Sequence, residues 1–587
     1  MTAHPGPSAR PAHPGRRTTG APPVLVVVLV VALVTTLTTS LGAGTVGGGQ
    51  AHAAEPSAHA ATPDGAPPIR GMVDAHAHIA ASQAFGGGLR CGEPFAPGGI
   101  AEALADCPTH SGTGHFALLE SVLGGTDLPG GNQGPPTFAQ WPSHDSQLHE
   151  QAHYSGIERA WRGGLRVLNN HLVANRVLCE ALVALGVPAR TSCDEMAQLR
   201  HQVDYLDRME AHIDAEHGGP GRGWFRIARS PEDVRAIAAE GKLAVTLGVE
   251  ASEPFGCRVV DDAPRCTPED IDRGLDEFAS WGVSTVFPVH KFDNALGGAR
   301  MDEELAGLAV NIGNKLGTQR FWETEPCAGP DADHAQPLAS TPVADGLAAA
   351  SSGAPAGAAL PVYPEQPLCN VRGLTALGGH AIRGMMARGM VINIDHMGVK
   401  TAHRALDMAA EAGYTGLVVD HAWATQGNTR RVHEQGGFVA AFAWPADETD
   451  NFEVGFLEQW RTNTAGTIRP VDGYGWGSDV NGLAPLAEPR PSAASDPLVY
   501  PFTAPSGEVM DRWRFFTAPS GEVMDRWRFG DRVYDLNLDG VAQYGLYADW
   551  AADVLHRAGP DRAELERQLM GGAEAWTANW ERARGGA

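Results

Sequence analysis

The stretch MVINIDHMGVKTAHRALDMAAEAGYTGLVVDH, residues 390–421, contains two apolar runs that each end in a histidine. Between the runs 390–396 and 415–421 lies the segment 401–413, whose apolar residues have helical spacing and whose last residue is a glycine. Two strands joined by a helix in this way are parallel neighbours in a sheet. The stretch therefore predicts one strand-helix-strand unit with a histidine at the C-terminal end of each strand.

The same pattern recurs along most of the chain. Apolar runs that follow glycine-marked turns, most of them ending in a polar residue, occur at 71–76, 165–170, 242–250, 283–290, 436–443 and 474–479. Segment 231–241 again has helical spacing and a terminal glycine. Eight strands that alternate with helices favour one α/β domain, a (β/α)8 TIM-type barrel with inserted loops, over residues 66–580.

Two stretches interrupt this pattern and are expected to be inserted loops. Segment 331–367 is rich in Ala, Pro, Gly and Ser and indicates an insertion at about 328–368. A second insertion, at about 485–530, contains FTAPSGEVMDRWRF at 502–515 and, letter for letter, again at 516–529. One structural position cannot hold the same unit twice. The repeat therefore indicates a recent duplication or an error in the assembled sequence, with the second copy bulging from the surface.

Residues 1–53 have the features of a secretory signal peptide. Arg10, Arg16 and Arg17 precede the apolar run at 24–34, and an Ala-His-Ala cleavage site ends the segment. An uncleaved anchor is the alternative, but the apolar core is short for a membrane span. We expect the protein to be secreted, with cell-surface or membrane attachment only where this segment stays uncleaved.

Cysteine usage agrees with export, because all eight cysteines follow the signal segment and their number is even. They are Cys91, Cys107, Cys179, Cys193, Cys257, Cys266, Cys327 and Cys369. Pairing neighbours in order would close four separate loops, although eight cysteines permit about 105 connectivities. A cysteine zinc site is the alternative, but the sequence has no Cys-x-x-Cys pair. Disulfides are therefore the expected use.

Composition narrows the classes of partner. The chain of 587 residues is 43% hydrophobic, which is enough for a large core, and its formal net charge is −25. Nucleic acids and anionic membrane surfaces repel such a polyanion at long range. The expected partner is a small-molecule substrate, and the sequence gives no sign of the oligomeric state.

Six of the eight runs end in side chains that bind metal ions or transfer protons. These are His76 with His78, Glu250, His290, His396, His421 and Asp479. The C-terminal strand ends of a (β/α)8 barrel meet at one mouth, so these side chains are expected to lie close together. Alternation along the first strand points both of its histidines to the same side, where they can share one metal ion. A single histidine at a strand end is more often a hydrogen-bonded surface residue, but five of them at strand ends favour a shared site.

Six segments around these residues follow one another in a specific order: MVDAHAHI, the region ending in KLAVTLGVEAS, GVSTVFPVHKFDNAL, ARGMVINIDHMG, LVVDHAWAT and GWGSDVNGL. In order and local context they resemble the membrane (renal-type) dipeptidase family, the M19 metallopeptidases. The closing segment ELERQLMGGAEAW, residues 564–576, is also similar. The resemblance covers most of the chain after the signal segment and implies a (β/α)8 hydrolase that cleaves dipeptides.

The resemblance also implies a cofactor, two zinc ions per chain. By position, His76 and residue 78 would hold the first ion, and His396 with His421 would hold the second. Glu250 would bridge the two ions. A carboxylate bridge offsets part of the repulsion between the cations, and neutral imidazoles complete the coordination.

Two residues acquire catalytic roles from the same resemblance. Asp479 would lie beside the first ion as a ligand and would transfer the proton of the attacking water to the leaving amine. His290 would not be a ligand but would donate a hydrogen bond to the oxyanion of the tetrahedral intermediate. Two zinc ions about 3.5–4 Å apart lower the pKa of a shared water towards about 7, which suits amide hydrolysis at neutral pH.

Position 78 departs from the family pattern, which has His-x-Asp where this chain has His-x-His. The neutral imidazole of His78 raises the net charge of the site by one, so a bound water should be more acidic. His-x-His is also the first-strand pattern of the wider amidohydrolase superfamily, many of whose members bridge their metals with a carboxylated lysine. Lys291 follows His290 and by alternation should face away from the mouth, which leaves Glu250 as the bridge.

Substrate recognition is less well marked. The family's arginine for the substrate carboxylate has no clean counterpart, although Arg430 and Arg431 lie nearby as candidates or as ordinary solvated helix charges. Three functions are compatible with the sequence. The first is a secreted dizinc hydrolase of membrane-dipeptidase type acting on a dipeptide or another small amide. The second is an amidohydrolase acting on a lactone, cyclic amide or phosphoester, and the third is a non-catalytic secreted binding protein.

Overall fold

The computed structural model describes residues 67–585, except 88–94, 99, 104–141, 148, 185, 303, 334–360, 362, 365, 448–453, 468–470 and 511–531. Eight parallel strands form the centre of this part of the chain. They are β1 (Met72–Ala77), β2 (Leu165–Ala174), β3 (Leu243–Ala251), β4 (Val283–Val286), β5 (Val391–Asn393), β6 (Leu417–Val419), β7 (Phe438–Phe442) and β8 (Gly475–Gly477).

Each strand pairs with the next one along the chain, and β8 pairs with β1, so the sheet closes into a barrel. The pair β2–β3 is the longest, running from Val167 opposite Ala244 to Ala174 opposite Ala251. A short extra strand, Phe225–Ile227, extends the sheet beside the start of β3. The predicted (β/α)8 fold is confirmed, and each of the eight predicted runs overlaps one barrel strand.

Helices follow the strands and surround the barrel. They are α1 (Tyr154–Arg162), α2 (Arg176–Ala184), α3 (Glu195–Glu216), α4 (Pro231–Ala239), α5 (Pro268–Trp281), α6 (Glu304–Thr318), α7 (Ala376–Ala387), α8 (Val399–Ala412), α9 (Gln426–Glu434), α10 (Phe456–Thr464), α11 (Tyr547–Arg557), α12 (Arg562–Met570) and α13 (Gly572–Gly585). Shorter helical segments lie at Ile100–Ala103 and Leu536–Asp539. Within the described residues, no helix combines the length and the apolar character that a membrane crossing requires.

Local sequence explains where several of these helices begin and end. Thr267 caps α5 in a capping box with Asp270, and Gly282 ends the same helix in the left-handed conformation, φ 74°. Gly413 ends α8 in the same way, with φ 66°. Glycines at the ends of helical segments therefore act as stop signals. The next barrel strand begins shortly after each of these two.

Three disulfides connect segments around the barrel. They join Cys179 to Cys193, Cys257 to Cys266 and Cys327 to Cys369. These are three of the four pairs expected from neighbour pairing, while Cys91 and Cys107 lie outside the described residues. The third disulfide closes the base of the first insertion, where Thr324–Pro326 pairs with Leu368–Asn370.

The second insertion is described only in part. Residues Phe502–Thr503 and Val509–Met510, which belong to the first copy of the repeat, form a small antiparallel hairpin. The second copy, 516–529, lies outside the described residues, so its expected position at the surface stays a prediction.

Close packing inside the barrel generates a prediction about Gly248 of β3. Gly248 lies opposite His171 of β2, and a Cβ at this position would come within 2.2 Å of His171 Nδ1. We expect Gly248→Ala to lower the free energy of unfolding by about 1–3 kcal/mol, because the imidazole must move within a packed interior. Chemical denaturation of the full chain measures the change.

Gly379→Ala is the matched control. Its Cβ would meet only flexible side-chain atoms of Arg383 and Met408, at 3.6 and 3.8 Å, in the middle of α7. Alanine is the better helix former, so this variant should be stabilised by up to about 1 kcal/mol. Equal stability of Gly248→Ala and the wild-type protein would contradict the packing described here.

Candidate metal centre

The seven predicted side chains come from six barrel strands or from the residues that follow them directly. His76 is part of β1 and Glu250 is part of β3, while the others stand one to four residues beyond their strands. Six of the seven residues are less than 10% exposed, and the Asp479 side chain is 14% exposed. The structure brings all seven together at the C-terminal mouth of the barrel.

The first group of donor atoms surrounds the histidines of β1. The Nε2 atoms of His76 and His78 are 3.0 Å apart. Asp479 Oδ1 lies 3.5 Å from the first and 3.1 Å from the second, and Glu250 Oε2 lies 3.6 and 3.2 Å from them. Tetrahedral zinc with bonds of about 2.0–2.1 Å places neighbouring ligand atoms about 3.3 Å apart. The spacing of the His76, His78 and Asp479 atoms fits one metal ion, and Glu250 Oε2 lies beside the two imidazoles.

The second group contains the histidines that follow β5 and β6. His396 Nε2 and His421 Nε2 are 2.8 Å apart, and Glu250 Oε1 lies 3.3 Å from His396 Nε2. One donor atom from each of Glu250, His396 and His421 lies within 4.8 Å of the donor atoms of the other two. Glu250 therefore turns one oxygen to each group. Its Oε1 is buried and accepts no hydrogen bond from the residues described. A buried carboxylate oxygen without such a partner is suited to bind a cation.

Hydrogen bonds on the far side of the rings fix the orientation of three histidines. His78 Nδ1 donates to the His171 carbonyl oxygen over 2.9 Å. The Nδ1 atoms of His76 and His421 donate to Asp420 Oδ1 over 3.1 and 2.9 Å. With Nδ1 protonated, each ring presents the lone pair of Nε2 to the centre, which is the tautomer that binds a metal ion.

Two residues of the centre have strained backbone conformations. His396 has φ 62° and Asp479 has φ 48°. Both values lie in the left-handed region, which residues other than glycine rarely adopt. Each such residue costs of order 1–3 kcal/mol and persists where its surroundings hold it. Hydrogen bonds from Arg300 N to His396 O and from Asp479 N to His76 O hold these two. The chain thus bends sharply to aim both side chains inward.

Nearby charges outweigh the effect of burial on the pKa of His76, His421 and the two facing carboxylates, whereas burial lowers the pKa of His396. Against burial, Asp420 and Glu250 raise the pKa of His76 well above its ordinary value. Against burial and the nearby His76, the adjacent carboxylates raise the pKa of His421 to about 9. Burial also opposes the ionised forms of Glu250 and Asp479, but the imidazoles around them hold the pKa of each carboxyl below its usual range. The carboxylates of Glu250 and Asp479 are therefore ionised, with the positive charge of the imidazoles balancing them.

His290 differs from the other histidines. Its Nε2 lies 3.4 Å from Glu250 Oε1, at the side of the centre, and its ring packs edge-on against His396 with the centroids 4.6 Å apart. Burial, helped by the charge of Lys291, lowers the pKa of His290 to about 3 in spite of Glu250. The ring is therefore neutral at physiological pH and has one N–H to donate.

Several residues of the centre escaped the sequence analysis. Asp395 and Asp420 directly precede the histidines after β5 and β6. The Asp-His pairs in NIDH and VVDH are the sequence pattern from which these two carboxylates could have been predicted. His171 lies one residue beyond the run predicted as the second strand, which in fact extends to Ala174. Asp74 accepts hydrogen bonds from Tyr544 Oη and Ser478 N, which support the loop that carries the last carboxylate.

The structure decides between the two roles left open for Arg430 and Arg431, and it corrects the direction expected for Lys291. Arg431 forms an ion pair with Asp407 on the outside of the barrel, and Arg430 is exposed on the same helix, so both are ordinary helix charges. Lys291 does not follow strand alternation, because β4 ends at Val286. Its Nζ lies 4.5 Å from the centroid of the Trp423 ring and 2.8 Å from Asp302 Oδ1, and together with burial its charge lowers the pKa of His290 and His396.

Fold and site together define a (β/α)8 barrel with a buried histidine and carboxylate centre at its mouth. No protein-family model matches the sequence, and no curated protein is significantly similar to it. Among solved structures, the chain is similar to dipeptidase AC, a metallopeptidase of family M19, with 13% identity and a TM-score of 0.38 over 73% of this chain and 89% of that one.

Two structures from Pseudomonas aeruginosa are similar to the same degree. An amidohydrolase shares 13% identity over 74% of this chain and 93% of its own, with a TM-score of 0.36. The probable dipeptidase PvdM shares 15% identity over 73% and 89%, also with a TM-score of 0.36. Values this low assign neither family nor activity, so the chemistry has to follow from the centre itself.

The shared position of Glu250 predicts how metal binding responds to its replacement. In Glu250→Gln the amide nitrogen cannot act as a ligand, so one of the two donor groups loses its carboxylate oxygen. We expect bound zinc, measured by plasma mass spectrometry after dialysis, to fall from about two per chain to at most one.

Glu277→Gln is the control, because Glu277 pairs with Arg200 on the outside of α5. This variant should keep the zinc content of the wild-type protein. Full zinc occupancy in Glu250→Gln would contradict a bridging position for Glu250.

Proposed function

We propose that the protein is a secreted, zinc-dependent hydrolase of membrane-dipeptidase type that cleaves a dipeptide or another small amide. The observation that carries the proposal is the position of Glu250, whose Oε2 lies 3.6 and 3.2 Å from Nε2 of His76 and His78 and whose Oε1 lies 3.3 Å from His396 Nε2. Such a carboxylate suits a pair of metal ions better than a single one. Three disulfides support an oxidising compartment and therefore secretion.

The donor set favours zinc over the harder cations. Four imidazole nitrogens and two carboxylates face the centre, whereas magnesium and calcium prefer sites made of oxygen atoms. His76, His78 and Asp479 would hold the first ion, and His396 with His421 would hold the second. When bound, such a pair supplies Lewis acidity and a water whose pKa is lowered towards about 7.

Asp479 is placed to move the proton. Its carboxylate is ionised, because neighbouring imidazoles hold its pKa below the usual range against the effect of burial. It is also the most exposed of the candidate ligands, at 14% of its side chain, and so faces the side from which a substrate enters. It can accept the proton of the attacking water and donate it to the leaving nitrogen.

His290 is placed to stabilise negative charge on the substrate. Its neutral ring carries one N–H, and the ring stands beside the bridging Glu250 without belonging to either group of ligands. A donor in a buried site can hydrogen-bond an oxyanion at little reorganisation cost. His290 therefore orients the scissile carbonyl while Asp479 transfers the proton.

An amidohydrolase acting on a lactone, cyclic amide or phosphoester is the second candidate. Position 78 favours it, because the neutral imidazole in place of a carboxylate makes the centre more cationic and a bound water more acidic. A weaker nucleophile suits an activated ester better than an unstrained amide. The non-catalytic binding protein is the third, and it is disfavoured because all the candidate catalytic side chains are present.

A substrate panel tests the proposed activity. Zinc-loaded protein is assayed against L,L- and L,D-dipeptides, lactones and phosphoesters at neutral pH. We expect turnover of at least one dipeptide. Turnover of a lactone or phosphoester without any dipeptide would contradict the proposed specificity, and zinc binding without any turnover would favour a binding protein.

His290→Ala is the matched variant for this assay. Loss of one oxyanion donor should lower kcat about 100- to 1000-fold, with zinc content unchanged because His290 is not a ligand. A variant that loses zinc along with activity would place His290 among the ligands and contradict the role given to it.

A further inference from the structure

Asp420 is a fully buried carboxylate that contacts one histidine from each group of metal donors. Its Oδ1 accepts hydrogen bonds from His76 Nδ1 over 3.1 Å and from His421 Nδ1 over 2.9 Å. Its Oδ2 lies 2.9 Å from His171 Nε2 and 2.6 Å from Asn393 Nδ2. Oδ1 therefore contacts one histidine of each donor group, on the side of the rings that faces away from the centre.

The charge balance of the proposed two-metal centre explains why a carboxylate at position 420 is useful. Two divalent ions carry four positive charges, and only Glu250 and Asp479 among the facing donors carry negative ones. His78 occupies the place where an aspartate would add a third. Asp420 supplies a third negative charge one imidazole ring away from each group, in an interior where charges interact strongly.

The other buried carboxylates of this region are engaged differently. Asp395 Oδ2 lies 3.2 Å from His421 Nδ1 and accepts hydrogen bonds from the backbone of Asp420 and His421, so it supports the second group alone. Asp74 bonds to Tyr544 Oη and to backbone N–H groups. Apart from Glu250, which faces both groups from the centre, Asp420 is thus, within the described residues, the buried carboxylate of this region that contacts a histidine of each group.

We propose that Asp420 replaces, from behind His76 and His421, the negative charge that the first strand lacks at position 78. It is a positioning residue that holds both rings with Nε2 towards the centre and that makes the two metal sites depend on one carboxylate. The proposal rests on the metal binding of the proposed function and is independent of the substrate.

Zinc binding to the chelator-treated full chain tests the proposal in a double-mutant cycle. Competition with a chromophoric chelator gives the affinities, and plasma mass spectrometry gives the stoichiometry. We expect Asp420→Asn to weaken both sites about 10- to 100-fold. Adding His78→Asp should restore at least tenfold of that loss, whereas His78→Asp in the wild-type background should change affinity less than tenfold. A double variant that binds zinc no better than Asp420→Asn would overturn the proposal.

Asp395→Asn is the matched control and should weaken only one of the two sites. Equal weakening of both sites by Asp395→Asn would overturn the special role of Asp420. If circular dichroism shows that Asp420→Asn does not fold, His78→Asp alone decides. A gain above tenfold would then mean that position 78 lacks a charge which Asp420 does not supply, and a smaller change would support the proposal.

These readouts also separate the two proposals. Zinc binding with the expected cycle but without dipeptide turnover would overturn only the proposed activity. A wild-type protein that binds no zinc would overturn both.

Discussion

The arrangement at the mouth depends on one buried carboxylate, Glu250, whose two oxygens serve two different sets of histidines. Burying ionised groups is costly unless opposite charges compensate them. Here the compensation is arranged in layers: imidazoles around Glu250, and then Asp420 and the His171 carbonyl behind the imidazoles. The proposed metal ions would supply between these carboxylates the positive charge that protonated imidazoles otherwise provide.

The barrel makes this layering possible because strands distant in sequence deliver their last residues to one place. His76 and Asp479 are separated by about four hundred positions along the chain, yet the pairing of β1 with β8 sets His76 opposite Gly477. Asp479 N then donates to His76 O, which turns the carboxylate back over the mouth. The left-handed conformations of His396 and Asp479 are the local cost of this convergence.

Sequence patterns predicted the eight strands and the convergence of their ends because apolar runs, glycine stops and strand-helix alternation are local signals. The run at 283–290 shows their limit, since the strand covers only Val283–Val286 and the last residues form an irregular segment that brings His290 and Lys291 to the centre. Strand alternation therefore gave the wrong direction for Lys291. Asp420 was missed because a carboxylate behind a ligand has no spacing rule of its own, and its role follows only from atoms of β1, β5 and β6 meeting in space.

The central claim is that two metal ions share Glu250. Anomalous diffraction at the zinc edge, from crystals of the zinc-loaded full chain, tests it most directly. The account predicts two peaks about 3.5–4 Å apart, with the Glu250 carboxylate between them, His78 beside the first and His421 beside the second. A single peak, or none at the barrel mouth, would contradict it.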